Sequence, residues 1–291
     1  MSVSSGFPPV LHGVSSFLDA YDLILCDIWG VLHDGVQAHP GAGEALKRFR
    51  ARGGTVVLVS NAPRPAIEVV PYLDGLKVIR ESWDGIVTSG DVTRSMIEEA
   101  DRPYCWLGPD RDWPLFEGLA TGPVPFEEAG TIVCTGLLDD TVETPDHYRD
   151  YLAGALARNM DFLCANPDLV VERGKDIIYC AGALAEAYAA IGGTVRYAGK
   201  PFRPVYDAAL NVGASIRKQE TPLPRVLAIG DALRTDVTGA VGLGIDSLFV
   251  ARGIHVHELG LADARLDDAR LSRFLAQASV RPTAAIDKLV W

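Results

Sequence analysis

Four short polar segments, each directly following an apolar run, hold the side chains best suited to chemistry. Asp27 closes Leu23-Ile24-Leu25-Cys26, and Ser60 and Asn61 follow Val56-Val57-Leu58-Val59. Lys200 follows Tyr197-Ala198-Gly199, and Asp231 and Asp236 follow Val226-Leu227-Ala228-Ile229-Gly230. A carboxylate at the end of an apolar segment is costly to bury without partners, so Asp27 either caps a local turn or serves a cation or an electrophile. Ser60 and Asn61 read as an ordinary helix cap, or as a hydroxyl and an amide aimed at an anion where a helix N-terminus adds its dipole. Lys200 stands on a turn between glycine and proline, and Asp231 and Asp236 lie five apart around a helix start. Taken singly, each segment has a plain structural reading. Taken in order, they offer a carboxylate nucleophile, a hydroxyl, a lysine and an acidic pair, and that agreement favours a joint chemical role.

The elements that must position these groups alternate along the chain. Strands are expected at Leu23–Trp29, Thr55–Val59, Gly85–Thr88, Pro103–Leu107, Thr131–Thr135, Phe162–Ala165, Thr194–Tyr197, Arg225–Ile229 and Ser247–Val250. Helical patterns fill the gaps at Gly43–Arg52, Pro65–Leu73, Val92–Ala100, Pro145–Arg158, Gly182–Ile191, Pro204–Val212 and Arg234–Val241, and Ala262–Trp291 also reads as helical. Strands alternating with helices imply βαβ units. Continuous apolar strands suit a parallel sheet covered on both faces. The expected class is therefore α/β with a doubly wound parallel sheet, whose ligands lie beyond the carboxyl ends of the strands.

At 291 residues the chain is longer than one hydrophobic core usually serves, so two domains or one domain with a large insertion are expected. Lys plus Arg total 27 against 38 Asp plus Glu, a net charge of −11 with no run of three basic residues, which argues against nucleic acid as a partner. No apolar stretch approaches the roughly 20 residues of a membrane helix, and no secretory leader is visible. Cys26, Cys105, Cys134, Cys164 and Cys180 are widely spaced among apolar neighbours and form no Cys-x-x-Cys pair, as expected of buried, reduced thiols in a cytoplasmic protein. Gly41-Ala42-Gly43 lacks the third glycine of a dinucleotide fingerprint, and His255 and His257 have no further zinc ligand type nearby.

The four segments, together with Val87-Thr88-Ser89-Gly90-Asp91, Asn166-Pro167-Asp168 and Gly182-Ala183-Leu184, resemble the haloacid dehalogenase (HAD) superfamily, in particular its class IIA, NagD-like branch. The resemblance runs from about Tyr21 to Gly253. It implies a HAD-like core of residues 1–78 and 197–291, interrupted by an α/β cap of 79–196. It also implies a Mg²⁺-dependent phosphatase in which Asp27 attacks the phosphorus of a small phosphorylated metabolite and forms an aspartyl-phosphate. Mg²⁺ would be bound by Asp27, Asp231 and the main-chain oxygen of Trp29, in keeping with its preference for oxygen ligands and few carboxylates. Ser60, Asn61 and Lys200 would hold the phosphoryl group, Lys200 also acting in catalysis, and Asp236 would support the lysine or the metal.

Trp29 departs from the family pattern. Phosphatases of the superfamily carry a second aspartate two residues after the nucleophile, as general acid and base, and indole offers only an N–H donor. Loss of such help costs typically about 10²–10⁴ in rate, whereas enzymes gain about 10⁶–10¹⁷ over the uncatalysed reaction, so a weak phosphatase or one restricted to good leaving groups remains. His33 or Asp34, just beyond, could substitute as acid. Superfamily dehalogenases also carry an aromatic residue at this position but generally lack a large α/β cap. The alternative is a phosphate-ligand-binding or regulatory module of the same fold with reduced catalysis. Neither a membrane nor nucleic acid is an expected partner, and a homodimer is compatible with an exposed cap surface.

Overall fold

The computed structural model describes residues 7–100, 102–173 and 176–291. In chain order its strands and α-helices are β1 (Val10–Leu11), β2 (Leu23–Cys26), α1 (Pro40–Ala51), β3 (Thr55–Ser60), α2 (Ala66–Gly75), β4 (Gly85–Thr88), α3 (Ser89–Glu99), β5 (Tyr104–Leu107), β6 (Thr131–Cys134), α4 (Arg149–Ala157) and β7 (Asp161–Cys164). There follow β8 (Val170–Arg173), β9 (Asp176–Tyr179), α5 (Ala181–Ala190), β10 (Thr194–Tyr197), α6 (Arg203–Arg217), β11 (Val226–Gly230), α7 (Thr238–Leu243), β12 (Asp246–Val250), α8 (Asp268–Leu275) and β13 (Ala284–Ile286). The chain divides into two compact units, one of Met1–Val59, Leu73–Ile86 and Ala209–Trp291, the other of Ser60–Tyr72 and Val87–Ala208. The expected α/β class is present in both.

The first unit is built on a seven-stranded sheet of order β1-β13-β12-β11-β2-β3-β4. The pairings from β1 across to β3 are all parallel. From β2 the chain proceeds outward through β3 and β4 on one side, and from β11 outward through β12 and β13 on the other. The strand order therefore reverses between β2 and β11, where an open α/β sheet leaves a crevice outside its carboxyl ends. Asp27 follows one of these two central strands and Asp231 the other. Both strands are fully buried, as their uninterrupted apolar sequences require.

The second unit has a parallel sheet of order β10-β7-β6-β5 and an antiparallel hairpin, β8-β9. Side chains of β5, β6 and β7 alternate between two cores. Cys105, Leu107, Ile132, Cys134, Phe162 and Cys164 face a core completed by Leu152 of α4 and Leu184 and Tyr188 of α5. The intervening Tyr104, Val133 and Leu163 face Ile97 of α3, Leu115 and Phe116. All five cysteines are buried.

Three features differ from the sequence expectations. The terminal stretch is helical only at α8, and Ala284–Ile286 forms a strand beside β12. The expected helix from 234 opens as a π-helical turn, Leu233–Val237, before α7. The first catalytic-type strand stops at Cys26, leaving Asp27 to Trp29 in the connection beyond it. Among the described residues no helix is long and apolar enough to cross a membrane.

Candidate active site

In the first unit, Asp27, Asp231 and Asp236 bring one carboxylate oxygen each to within 4.8 Å of one another, and this is the single metal-type cluster among the described residues. All three are at most 9% exposed. Backbone amides support them: Ile28 N–H donates to Asp27 Oδ1 (2.7 Å), Ile254 N–H to Asp231 Oδ2 (2.7 Å) and Ala232 N–H to Asp236 Oδ2 (3.2 Å). Asp27 N–H in turn donates to Ile229 O of β11 (2.8 Å), tying the end of one central strand to the other.

Glycines make the gathering possible. A Cβ on Gly30 or on Gly253 would lie 1.9 Å from Asp231 Oδ2, and one on Gly230 would lie 2.0 Å from Asp236 Cγ. Gly30 also has φ +79°, which side chains rarely adopt. Three like charges so close and so buried repel, and each is stable as an anion only where a cation or strong donors offset it. The donor set is all hard oxygen, with one oxygen from each of the three carboxylates within 4.8 Å of the others, so these residues fit Mg²⁺.

The turn after Asp27 is organised around Trp29. Its indole lies over Gly35, where a Cβ would fall 2.5 Å from the ring, and meets the His33 imidazole edge-on at 5.1 Å between centroids. Gly30 N–H donates to His33 O (2.8 Å) and Leu32 N–H to Ile28 O (2.9 Å), closing the turn tightly. His33 is buried, and its Nδ1 accepts Gly35 N–H (3.0 Å), so the neutral ring carries its proton on Nε2. Burial, reinforced by nearby His39, pushes the His33 pKa down to about 4. Asp34 is exposed; its Oδ1 accepts from Val36 N–H (2.9 Å) and Gln37 N–H (2.8 Å). Desolvation raises the Asp34 pKa, but those backbone bonds outweigh it and hold the carboxyl below its usual range. As placed, neither His33 nor Asp34 is a ready proton donor near neutral pH.

Ser60, Asn61 and Lys200 belong to the second unit. Ser60 ends β3, and its Oγ accepts Ala62 N–H (3.1 Å), which leaves the hydroxyl proton to donate. Lys200 is only 3% exposed, far from the solvated lysine of an ordinary surface turn. Asn61 departs from the expected role: its Oδ1 accepts Lys200 N–H (2.7 Å), while Nδ2 donates to Asp168 Oδ1 (2.9 Å) and Lys200 O (3.2 Å). Both amide hydrogens are thus engaged within the protein, so the side chain has no N–H left for a phosphate.

The segment Val87 to Asp91 proves to be a helix start. Thr88 Oγ1 accepts Asp91 N–H (3.0 Å) and Asp91 Oδ2 accepts Thr88 N–H (2.9 Å), a reciprocal cap of α3. Gly90 is required because a Cβ there would fall 2.4 Å from the Arg64 carbonyl carbon. Sequence reasoning missed the supporting glycines, and it marked Asp168 only as part of a family signature, without its bond to Asn61. Glycine flanking each acidic motif, as in Gly230-Asp231, was the available signal, but Gly253 is distant in sequence and nothing there marks it.

A family profile described as haloacid dehalogenase-like hydrolase matches residues 24–119, and one described as HAD-hydrolase-like matches 197–286. A crystal structure of a haloacid dehalogenase-like family hydrolase from Brucella suis 1330 is similar with TM-score 0.85 and 43% identity, covering 97% of this chain and 100% of that one. The ribonucleotide monophosphatase NagD of Escherichia coli strain K12 is 26% identical over 241 residues, 79% of this chain and 88% of NagD. The D-glycerol 3-phosphate phosphatase of Mycobacterium tuberculosis is 28% identical over 254 residues, 83% of this chain and 66% of that protein. With the acidic cluster at the reversal of strand order and these likenesses together, the chain belongs to the haloacid dehalogenase-like hydrolases, in their NagD-like class IIA branch.

Proposed function

We propose that the protein is a Mg²⁺-dependent phosphatase of small phosphorylated metabolites, acting through Asp27. The observation that carries this reading is the buried trio Asp27, Asp231 and Asp236 at the point where strand order reverses. Asp27 and Asp231, with the main-chain oxygen of Trp29, would hold the metal, and Asp236 supports the pair. When bound, Mg²⁺ supplies positive charge that offsets repulsion between a phosphate dianion and the carboxylates.

Asp27 attacks phosphorus as the bond to the leaving oxygen breaks, expelling the alkoxide or phenolate, which takes its proton from water, and a second water then cleaves the aspartyl-phosphate to inorganic phosphate and the free carboxylate. Ser60 and Lys200 hold the phosphoryl oxygens as negative charge redistributes. Residues 79–196 act as the cap, excluding water during transfer. Trp29 contributes no proton, and the turn that carries it offers no ready replacement. The substrates it serves best are therefore esters whose leaving group departs without protonation.

A catalytically reduced module that binds a phosphate ester is the second reading, favoured by the same indole. Phosphate release from a series of esters of decreasing leaving-group pKa, with Mg²⁺ and with chelator, separates the two. The phosphatase reading expects Mg²⁺-dependent release that rises steeply as leaving-group pKa falls. Mg²⁺-dependent binding of esters that all survive intact would establish the module instead.

A further inference from the structure

The ladder between β10 and β7 ends with Ala198 N–H donating to Cys164 O (3.1 Å), two residues short of Lys200. At Lys200 a side chain takes over the work of a strand. The Asn61 carboxamide pairs with both main-chain groups of this one residue, accepting its N–H and donating to its C=O. The orientation is dictated by chemistry, because a flipped amide would set N–H against N–H and oxygen against oxygen.

The remaining amide hydrogen goes to Asp168, and Asp168 is itself held. Asn166 Oδ1 accepts Asp168 N–H (3.1 Å), and Asp168 O accepts Gly182 N–H (3.2 Å). A Cβ on Gly182 would lie 2.4 Å from both Pro167 O and Asp168 O, so α5 can approach this loop only through glycine. Gly199 is under similar constraint: a Cβ would lie 2.4 Å from Asn61 Oδ1, 2.7 Å from Pro167 Cδ and 2.9 Å from Ser89 Oγ. Asn61 and Asn166-Pro167-Asp168 thus converge on the backbone of one buried lysine.

We propose that Asn61 is a positioning residue for Lys200, with Asp168 as its anchor, and that it reaches substrate only through the lysine. The proposal rests on the reading of Lys200 as a phosphate-holding group. A long flexible side chain delivers charge to a fixed point only if its own Cα is fixed. A displacement of about 1 Å at a reacting centre can cost roughly 10²-fold in rate, and two hydrogen bonds to one residue's main chain suppress that displacement.

The test is a double-mutant cycle on the full chain with p-nitrophenyl phosphate and Mg²⁺, joined to amide hydrogen exchange. Asn61→Ala is expected to lower kcat/KM by about 10- to 100-fold, but by less than about twofold when Lys200 is already alanine, since the two act as one unit. The Lys200 amide is expected to exchange faster in Asn61→Ala than in the parent. Gly199→Ala removes no polar group, yet must displace Asn61 Oδ1, and is expected to reproduce both effects. An equal loss from Asn61→Ala in both backgrounds would show direct action on substrate and overturn the proposal, as would unchanged Lys200 exchange. Lys200→Ala alone separates the two claims: wild-type turnover in it defeats the reading of Lys200, while the exchange measurement still judges the clamp.

Discussion

In the first unit, three carboxylates are gathered at the ends of the two central strands, and glycines at 30, 230 and 253 leave the space they occupy. In the second, Lys200 is buried and its main chain is gripped by a neutral amide. The first arrangement brings side chains together through small neighbours and concentrates like charge. The second fixes a backbone through hydrogen bonds and leaves the charged end to its task. A Cβ added beside the carboxylates should therefore disturb metal binding, whereas loss of the amide should disturb only where the ammonium stands.

The largest effect is expected from Gly253→Val, which places carbon where Asp231 Oδ2 now lies. Mg²⁺ affinity measured by calorimetry should fall about 100-fold, the upper end of losses from disturbed ligand support. Unaltered Mg²⁺ binding would mean that the glycine cradle is incidental. Next, Trp29→Asp should raise turnover of esters with poor leaving groups, by up to about 10²-fold if it recovers the lower range of general-acid help. Esters with good leaving groups should respond much less, so the ratio between the two classes is the informative quantity.

His33 provides a smaller effect in stability. Its folded pKa of about 4 lies below the ordinary 6.5, so the unfolded chain binds the extra proton first. Stability from the neutral ring is complete above pH 6.5 and is lost as pH falls toward 4, by roughly 3 kcal/mol at most. Denaturant titrations of wild type and His33→Gln across this range should converge as pH falls; parallel curves would show that the imidazole titrates normally. The smallest effect is expected from Thr88→Ala, at about 1 kcal/mol for a lost helix cap. It should leave Mg²⁺ affinity unchanged, since Thr88 caps α3 and otherwise donates its hydroxyl to Arg64 O (2.6 Å), away from the acidic cluster.

How far this was legible in sequence differs between the two units. Asp27 and Asp231 were readable because a carboxylate closing a wholly apolar strand is costly without purpose, and both strands proved central and buried. Lys200 stood out by its glycine and proline neighbours, yet its burial did not, because the residues that hold it lie 139 positions away at Asn61 and on the loop at Asp168. Asn61 looked like a phosphate ligand since its type and place suit an anion. Only the hydrogen-bond geometry shows its amide engaged. The C-terminal stretch misled for a local reason: helical periodicity around α8 spread over β13, a three-residue strand too short to display a period of its own.

The central claim is that Asp27 is the nucleophile of a Mg²⁺-dependent phosphate-ester hydrolysis. It is tested most directly by phosphate release from a broad ester panel that includes p-nitrophenyl phosphate, comparing wild type with Asp27→Asn in Mg²⁺. The account predicts release by wild type, steepest for the best leaving groups, and none above background from Asp27→Asn. Equal rates from the two proteins, or none from either across the panel, would contradict it.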